Sequence, residues 1–192
     1  MHAYRQGWWL QMAVNLPVTV LLEPRFLASL RAILARHDGA GSLTFEITES
    51  LFLSDYERLS AVLGEIRQMG VGFSIDDFGT GHSSLSRLRK LPVSELKIDR
   101  SFVMDMEKNK DDLVIVESTI ELAHNLGLEV VAEGVESEQA LAQLMHLGCD
   151  LVQGFHVGRP MPADAAETFI RTAGYKIPSA RSEAACTGNS AA

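Results

Sequence analysis

Long apolar runs are missing from this chain. No stretch approaches the roughly 18 consecutive apolar residues of a membrane-crossing helix. The opening MHAYRQGWWLQMAVNLP has one Arg and no extended apolar core, so it does not read as a signal peptide. Cysteine is scarce. The two in the chain, Cys149 and Cys186, exclude a disulfide framework and a thiolate cluster and fit a reducing cytoplasm. Cys149 sits beside apolar residues and reads as core, whereas Cys186 lies in a polar tail. Positive charge is also short, with 17 Lys and Arg against 25 Asp and Glu for a net charge of −8. Sequence-independent binding of duplex nucleic acid, which needs basic side chains at the phosphates, is therefore not expected. No pair among the six histidines has metal-ligand spacing, which argues against zinc. An acidic chain can still act on a phosphate ester where divalent cations first neutralise its carboxylates.

What is present is regular. A hydrophobic share of 46% and a charged share of 22% are those of an ordinary globular protein, and 192 residues fit one domain. Residues 11–16 (QMAVNL) read as a strand, then a helix covers about 23–36, and 43–48 (LTFEIT) is the next strand. Ser54, with Glu57 three residues on, has the form of a capping box opening a helix that ends at Met69-Gly70. Strand 71–76 follows, then a Gly-Thr-Gly loop, a short segment over 83–90, and a strand over 95–99 (ELKID). The clearest helix is 112–126, where Leu113, Val116, Ile120 and Ala123 make an apolar stripe. Strand 128–132, a helix capped by Ser137, strand 150–154 and a last helix over 163–173 complete the order. Trp8 and Trp9 read as the packed end of a helix. The segment from Gly174 onward lacks periodicity and is expected to be disordered, leaving 1–173 as the domain and 174–192 as a tail.

The junctions RQMGVGFSID, HNLGLEVVAE and MHLGCDLVQG share one plan: helix, apolar residue, glycine, short strand. Strands alternating with helices imply βαβ units and a parallel sheet. A complete eight-unit barrel takes roughly 250 residues, about 31 per unit, so six units would occupy roughly 190. The expected fold is α/β: an incomplete TIM-type barrel with about six of eight βα units, or else a six-strand open sheet.

Every one of these strands ends in a group that can do chemistry: Asn15; Glu46 with Glu49; Asp76 and Asp77; Lys97 with Asp99; Glu133 with Glu136; Gln153. In parallel barrels the active site is built from side chains at those ends. Asn, Glu and Asp are hard oxygen donors that suit magnesium, manganese or calcium. Adjacent acids such as Asp76-Asp77 can bridge two cations, and Lys97 could orient a water or offset developing phosphate charge. His82 reads as a surface or substrate contact. Asp77-Phe78-Gly79 spells a kinase triplet, but the catalytic loop of kinases is absent. A metal-dependent enolising barrel stays open on this chemistry alone.

VNLP (14–17), FEITES (45–50), IDDFGTGHSSL (75–85), LKIDRSFV (96–103), VVAEGVES (130–137) and VQGFHVGRPMP (152–162) together resemble the EAL family of cyclic-di-GMP phosphodiesterases, in that family's order and approximate spacing. The resemblance implies a cytoplasmic TIM-like barrel that hydrolyses cyclic-di-GMP to linear pGpG with two magnesium or manganese ions. It implies Asn15, Glu46, Asp76 and Asp77 as metal ligands and Lys97 as the water-orienting group. Glu133 corresponds to a general base or second-metal ligand, and Gln153 lies near the site. Glu49 corresponds to the anchor of the DDFGTG loop, which carries Thr80 and Gly81 and is tied to homodimerisation; Asp99 and Glu136 are supporting residues. A sensor or cyclase domain is an expected partner.

Two features depart from the pattern. Pro17 replaces a serine common after Asn-Leu, and His82 stands where an aromatic is frequent. More important, nothing here matches the Glu-Ala-Leu segment, which should precede Asn15 and supply a metal-ligating glutamate. The 192-residue chain is therefore expected to be weakly active or inactive; the alternative to a phosphodiesterase is a degenerate module that binds a nucleotide or a protein.

Overall fold

The computed structural model describes residues 10–36, 40–49, 56–80 and 85–172. Trp8-Trp9, the cap at Ser54, Gly81, His82, Cys186 and the segment from Gly174 onward lie outside them. The chain divides into two compact units, one of 11–159 and one joining 1–10 to 160–192.

Six strands of the first unit form one parallel sheet in sequential order: β1 (Met12–Asn15), β2 (Leu43–Thr48), β3 (Gly72–Phe78), β4 (Glu95–Ile98), β5 (Glu129–Glu133) and β6 (Leu151–Gln153). A doubly wound sheet reverses its order at a switch point. This one never reverses, so the sheet is the arc of an incomplete TIM-type barrel rather than an open sandwich of helices around a sheet.

One face of the arc is apolar for a reason legible in each strand. Phe45, Ile47, Phe73, Ile75, Leu96, Ile98, Val130 and Ala132 alternate along four strands and are all buried. They share a core with Leu59, Leu63 and Ile66 of α3 (Tyr56–Gln68), Val103 of α5 (Arg100–Asp105), Val116, Ile120 and Ala123 of α6 (Lys110–Asn125), and Ala140 and Leu144 of α7 (Glu138–His146). The other face carries Glu46, Ser74, Asp76, Lys97 and Glu133. That polarity division positions the site.

The helix boundaries show where local sequence wins and where it is silent. Asn109 caps α6 by accepting from the Asp111 amide at 3.0 Å, and Ser137 caps α7 through the Ala140 amide at 2.9 Å. Gly70, Gly127 and Gly148, the glycines of the three repeated junctions, all take positive φ, as a left-handed helix stop requires. The helix expected over 23–36 is shorter. Residues around Pro24 form a turn, and the helix, α2, begins at Phe26 and runs to Leu34. Two short helices, α1 (Val18–Leu21) and α4 (Leu85–Leu88), and the two-turn α5 are too brief to show a period. In the second unit, α8 (Ala163–Thr172) carries an Arg171–Glu167 ion pair at 3.0 Å.

At the start of the last two strands, Asp150 accepts from the Val130 amide at 2.8 Å and meets His124 Nε2 at 2.9 Å. Burial acts to raise the Asp150 carboxyl, but the His124 contact and the Val130 amide outweigh it and hold the carboxyl below its ordinary value. A carboxyl depressed on folding stabilises the fold above its unfolded pKa of about 3.9 and loses that contribution as pH falls through its folded value. Both side chains are more than a third exposed, so screening limits the effect to about 0.5–1 kcal/mol. Asp150→Asn should therefore lower the thermal midpoint at pH 7. The gap from the unaltered protein should narrow as pH falls below the unfolded carboxyl's range and through its lower folded value, as thermal melts along that acid series would show.

Candidate metal centre

Strand geometry would ordinarily send adjacent residues to opposite faces. Asp76 and Asp77 escape this through a bulge. Ile75 pairs with Leu96 and Phe78 with Ile98, so β3 holds one more residue than β4 across the same interval. Asp77 takes up the excess in a left-handed backbone with φ of 56°, a conformation that Asp tolerates better than most residues. The Asp77 amide donates to Asp76 Oδ1 at 3.1 Å, and Thr80 Oγ1 donates back to the Asp77 carbonyl at 2.8 Å. Both carboxylates consequently reach one place. Asp76, Asp77 and Glu133 offer oxygens that all lie within 4.8 Å of one another.

Lys97 stands among the same acids. Its ammonium donates to Glu46 Oε1 at 2.7 Å, to Asp76 Oδ1 at 3.2 Å and to Glu133 Oε1, with its side chain only 4% exposed. Burial alone would lower its pKa. Hydrogen bonds to Glu133 and Glu46, with the charges of Glu133 and Asp76, override that and push it well above the ordinary lysine value. Lys97 is thus fixed as a cation and a hydrogen-bond donor, and it is no base. Glu133 moves upward too. Burial raises it, Lys97 opposes the rise, and the charges of Asp76 and Glu46 add to it. Asp77 is raised first by burial, then by the Asp76 charge and a hydrogen bond with Asp99. Asp99 is net lowered: burial raises it, but bonds from Ser101, the Asp77 contact and the Arg100 charge prevail.

The other candidate residues fall around this centre to different degrees. Asn15 pairs in register with Glu46 at the end of β1, and Gln153 pairs with Glu133 at the end of β6. Glu49 is buried just beyond β2. Glu136 follows β5 in the loop that leads to α7, and Asp99 accepts from the Ser101 amide at 2.9 Å, capping α5. Thr80 leans on Asp77 as described. Gly81 is outside the described residues.

A further acid lies on this face. Glu95 lies two residues before Lys97 on the same face, and its carboxyl is raised by burial and by the charges of Glu129 and Glu46, against the lowering influence of the Ser74 hydroxyl and Lys97. Alternation within ELKID was the available signal.

The donor set fits a divalent cation. Two oxygens on one ion at about 2.1–2.4 Å stand no more than about 4.2–4.8 Å apart, the span seen here. All donors are hard oxygens, and no histidine or cysteine joins the cluster among the described residues.

Comparison with known proteins identifies the family of this fold. Residues 3–160 match the family model for the EAL domain. The chain is 46% identical over 154 residues to the bifunctional diguanylate cyclase/cyclic di-GMP phosphodiesterase MucR of Pseudomonas aeruginosa, a match covering 80% of this chain and 22% of that protein. Among solved structures, the PaMucR phosphodiesterase in complex with c-di-GMP superposes with a TM-score of 0.77 at 44% identity, covering 81% of this chain and 64% of that one. The EAL domain of Mycobacterium smegmatis DcpA gives a TM-score of 0.83 at 38% identity, covering 88% of this chain and 78% of the other. The chain spans about a fifth of the length of the curated relatives it matches. With the family model covering most of its length and the six-stranded arc matching solved members, the chain belongs to the EAL domain family.

Proposed function

We propose that this centre hydrolyses one phosphodiester bond of cyclic-di-GMP to give linear pGpG. The observation that carries the reading is the convergence of Asp76, Asp77 and Glu133 beside a buried, permanently charged lysine. Asp76, Asp77 and Glu133 would hold a divalent cation, with Glu46 and Asn15 next in line along the strand ends. Magnesium or manganese, as one ion or a pair, supplies a lowered pKa for bound water and neutralisation of phosphate charge.

The chain's own groups divide the remaining work. The Lys97 ammonium donates a hydrogen bond to the attacking water or to a phosphate oxygen where negative charge grows. Glu133 would serve either as a further ligand or, where the cation sits on Asp76 and Asp77, as the base that takes the proton as the water oxygen bonds to phosphorus. The bond between phosphorus and the ribose oxygen then breaks, and that oxygen takes up the proton released from the attacking water, returned by the base or by solvent. Glu49, Glu136, Asp99 and Thr80 support the strand ends and the bend at 76–80, and Gln153 contacts the substrate side. The length of the relatives, and the pairing of cyclase with phosphodiesterase in MucR, support a cyclase or sensor domain as a partner.

The test is conversion of cyclic-di-GMP to pGpG by the chain with manganese present, with cyclic-di-GMP binding followed in parallel. Expected is manganese-dependent binding with slow product formation, both reduced at least tenfold by Asp76→Asn. Activity or binding that ignores manganese and survives Asp76→Asn would overturn the assignment.

A further inference from the structure

Asp77 reaches the centre only because a bulge and a left-handed backbone turn it there, and something must hold that shape. A non-glycine residue in this region costs roughly 1–3 kcal/mol and persists where its surroundings over-determine it. The local hydrogen bonds from Thr80 are exposed. The firmer support comes from α5, which starts directly after β4, with Asp99 capping it through the Ser101 amide at 2.9 Å.

The first turn of α5 delivers Phe102 to Gly79. Gly79 has φ of +97°, and a Cβ placed there would stand 3.2 Å from Phe102 Cε2 and 3.7 Å from Cζ. The ring edge therefore lies against the bare Cα, two residues beyond Asp77. Phe102 is half-buried and packs against the main core, so its own position is fixed by the sheet and helices beneath. From this contact we infer that Phe102 is a positioning residue: it clamps the 77–79 bend through Gly79 and thereby sets the Asp77 carboxylate in the metal centre. No polar chemistry is asked of the ring. Its role is shape, which needs a planar edge over a residue without a side chain.

The inference rests on the reading that Asp77 helps to hold a divalent cation. A shift of about 1 Å at a reacting group can cost on the order of a hundredfold. Manganese alone, titrated into the full chain well below its melting temperature, is the probe. Phe102→Ala should weaken manganese affinity about tenfold or more, and Phe102→Tyr, which keeps the ring edge, should restore it to within about twofold. Where Phe102→Ala does not fold, Phe102→Leu keeps apolar volume but withdraws the planar edge. It should then show the same weakening with an unchanged thermal midpoint.

Asp77→Asn separates the two ideas. If it leaves manganese affinity unchanged, the metal reading fails. If it weakens affinity while the Phe102 variants bind like the unaltered chain, the positioning role fails and the metal reading stands.

Discussion

Lys97→Met is expected to destabilise the metal-free protein by about 3–5 kcal/mol near neutral pH, the range for removing one partner of a buried ion pair. The side chain touches Glu46, Asp76 and Glu133 at once and is nearly sealed from water. Met preserves most of the apolar stem, so the loss is that of charge rather than of volume. Three carboxylates are left without their cation, and the cheapest response is for one to take up a proton. Glu133, already raised by burial, is the candidate. A carboxyl raised on folding binds its proton more tightly in the native state, so the variant gains stability as pH falls and loses it as pH rises. Urea unfolding at pH 7.5 and at pH 5 should show a large deficit that narrows markedly at the lower pH. A deficit below about 1 kcal/mol at both would mean that the ammonium is not the keystone of this face. Turnover should fall about 10²–10³-fold, as for loss of one preorganised donor at a developing oxyanion.

Gly154→Ala is expected to be the most damaging glycine substitution among those described. A Cβ at this position would stand 2.1 Å from the Val135 carbonyl oxygen and 2.3 Å from the Val135 nitrogen, all backbone. The two segments are tied there, with the Val135 amide donating to Gln153 at 3.1 Å and the His156 amide donating to Val135 at 3.0 Å. No side-chain rotation relieves such a clash, so the loops after β5 and β6 must separate. The cost should reach about 3 kcal/mol, the upper part of the usual range for overpacking. It should also displace Gln153 and Glu136 from the strand-end rim. Gly64→Ala is the control. It lies within α3 with nothing inside 4 Å of a new Cβ, so it should stabilise by about 0.5–1 kcal/mol. Chemical unfolding of the pair should give shifts of opposite sign.

Much of this was legible from the residues. Four of the strands declare themselves as short apolar alternations, and a polar residue stands at or near the carboxyl end of each of the six, so both the parallel sheet and its polar rim can be read directly. Repeated Leu-Gly and Met-Gly junctions mark helix stops that the positive φ values of Gly70, Gly127 and Gly148 explain. What could not be read depends on distant partners. The bulge at Asp77 exists only relative to β4, and its direction is invisible in the string DDFGTG. The three-carboxylate contact of Lys97 draws on β2, β3 and β5 together. The role of Gly154 comes from a backbone that crosses it 19 residues away in sequence. Phe102 sits inside the recognisable LKIDRSFV segment, yet only the packing shows which glycine it covers.

The central claim is that the strand-end acids form one metal centre that engages a cyclic dinucleotide. Its most direct test is a crystal structure with manganese and cyclic-di-GMP, with data collected at the manganese absorption edge. Expected is an anomalous peak coordinated by oxygens of Asp76, Asp77 and Glu133, with a phosphate of the ligand beside it and Lys97 within hydrogen-bonding reach. A peak elsewhere on the chain, or a ligand bound away from these strand ends, would contradict it.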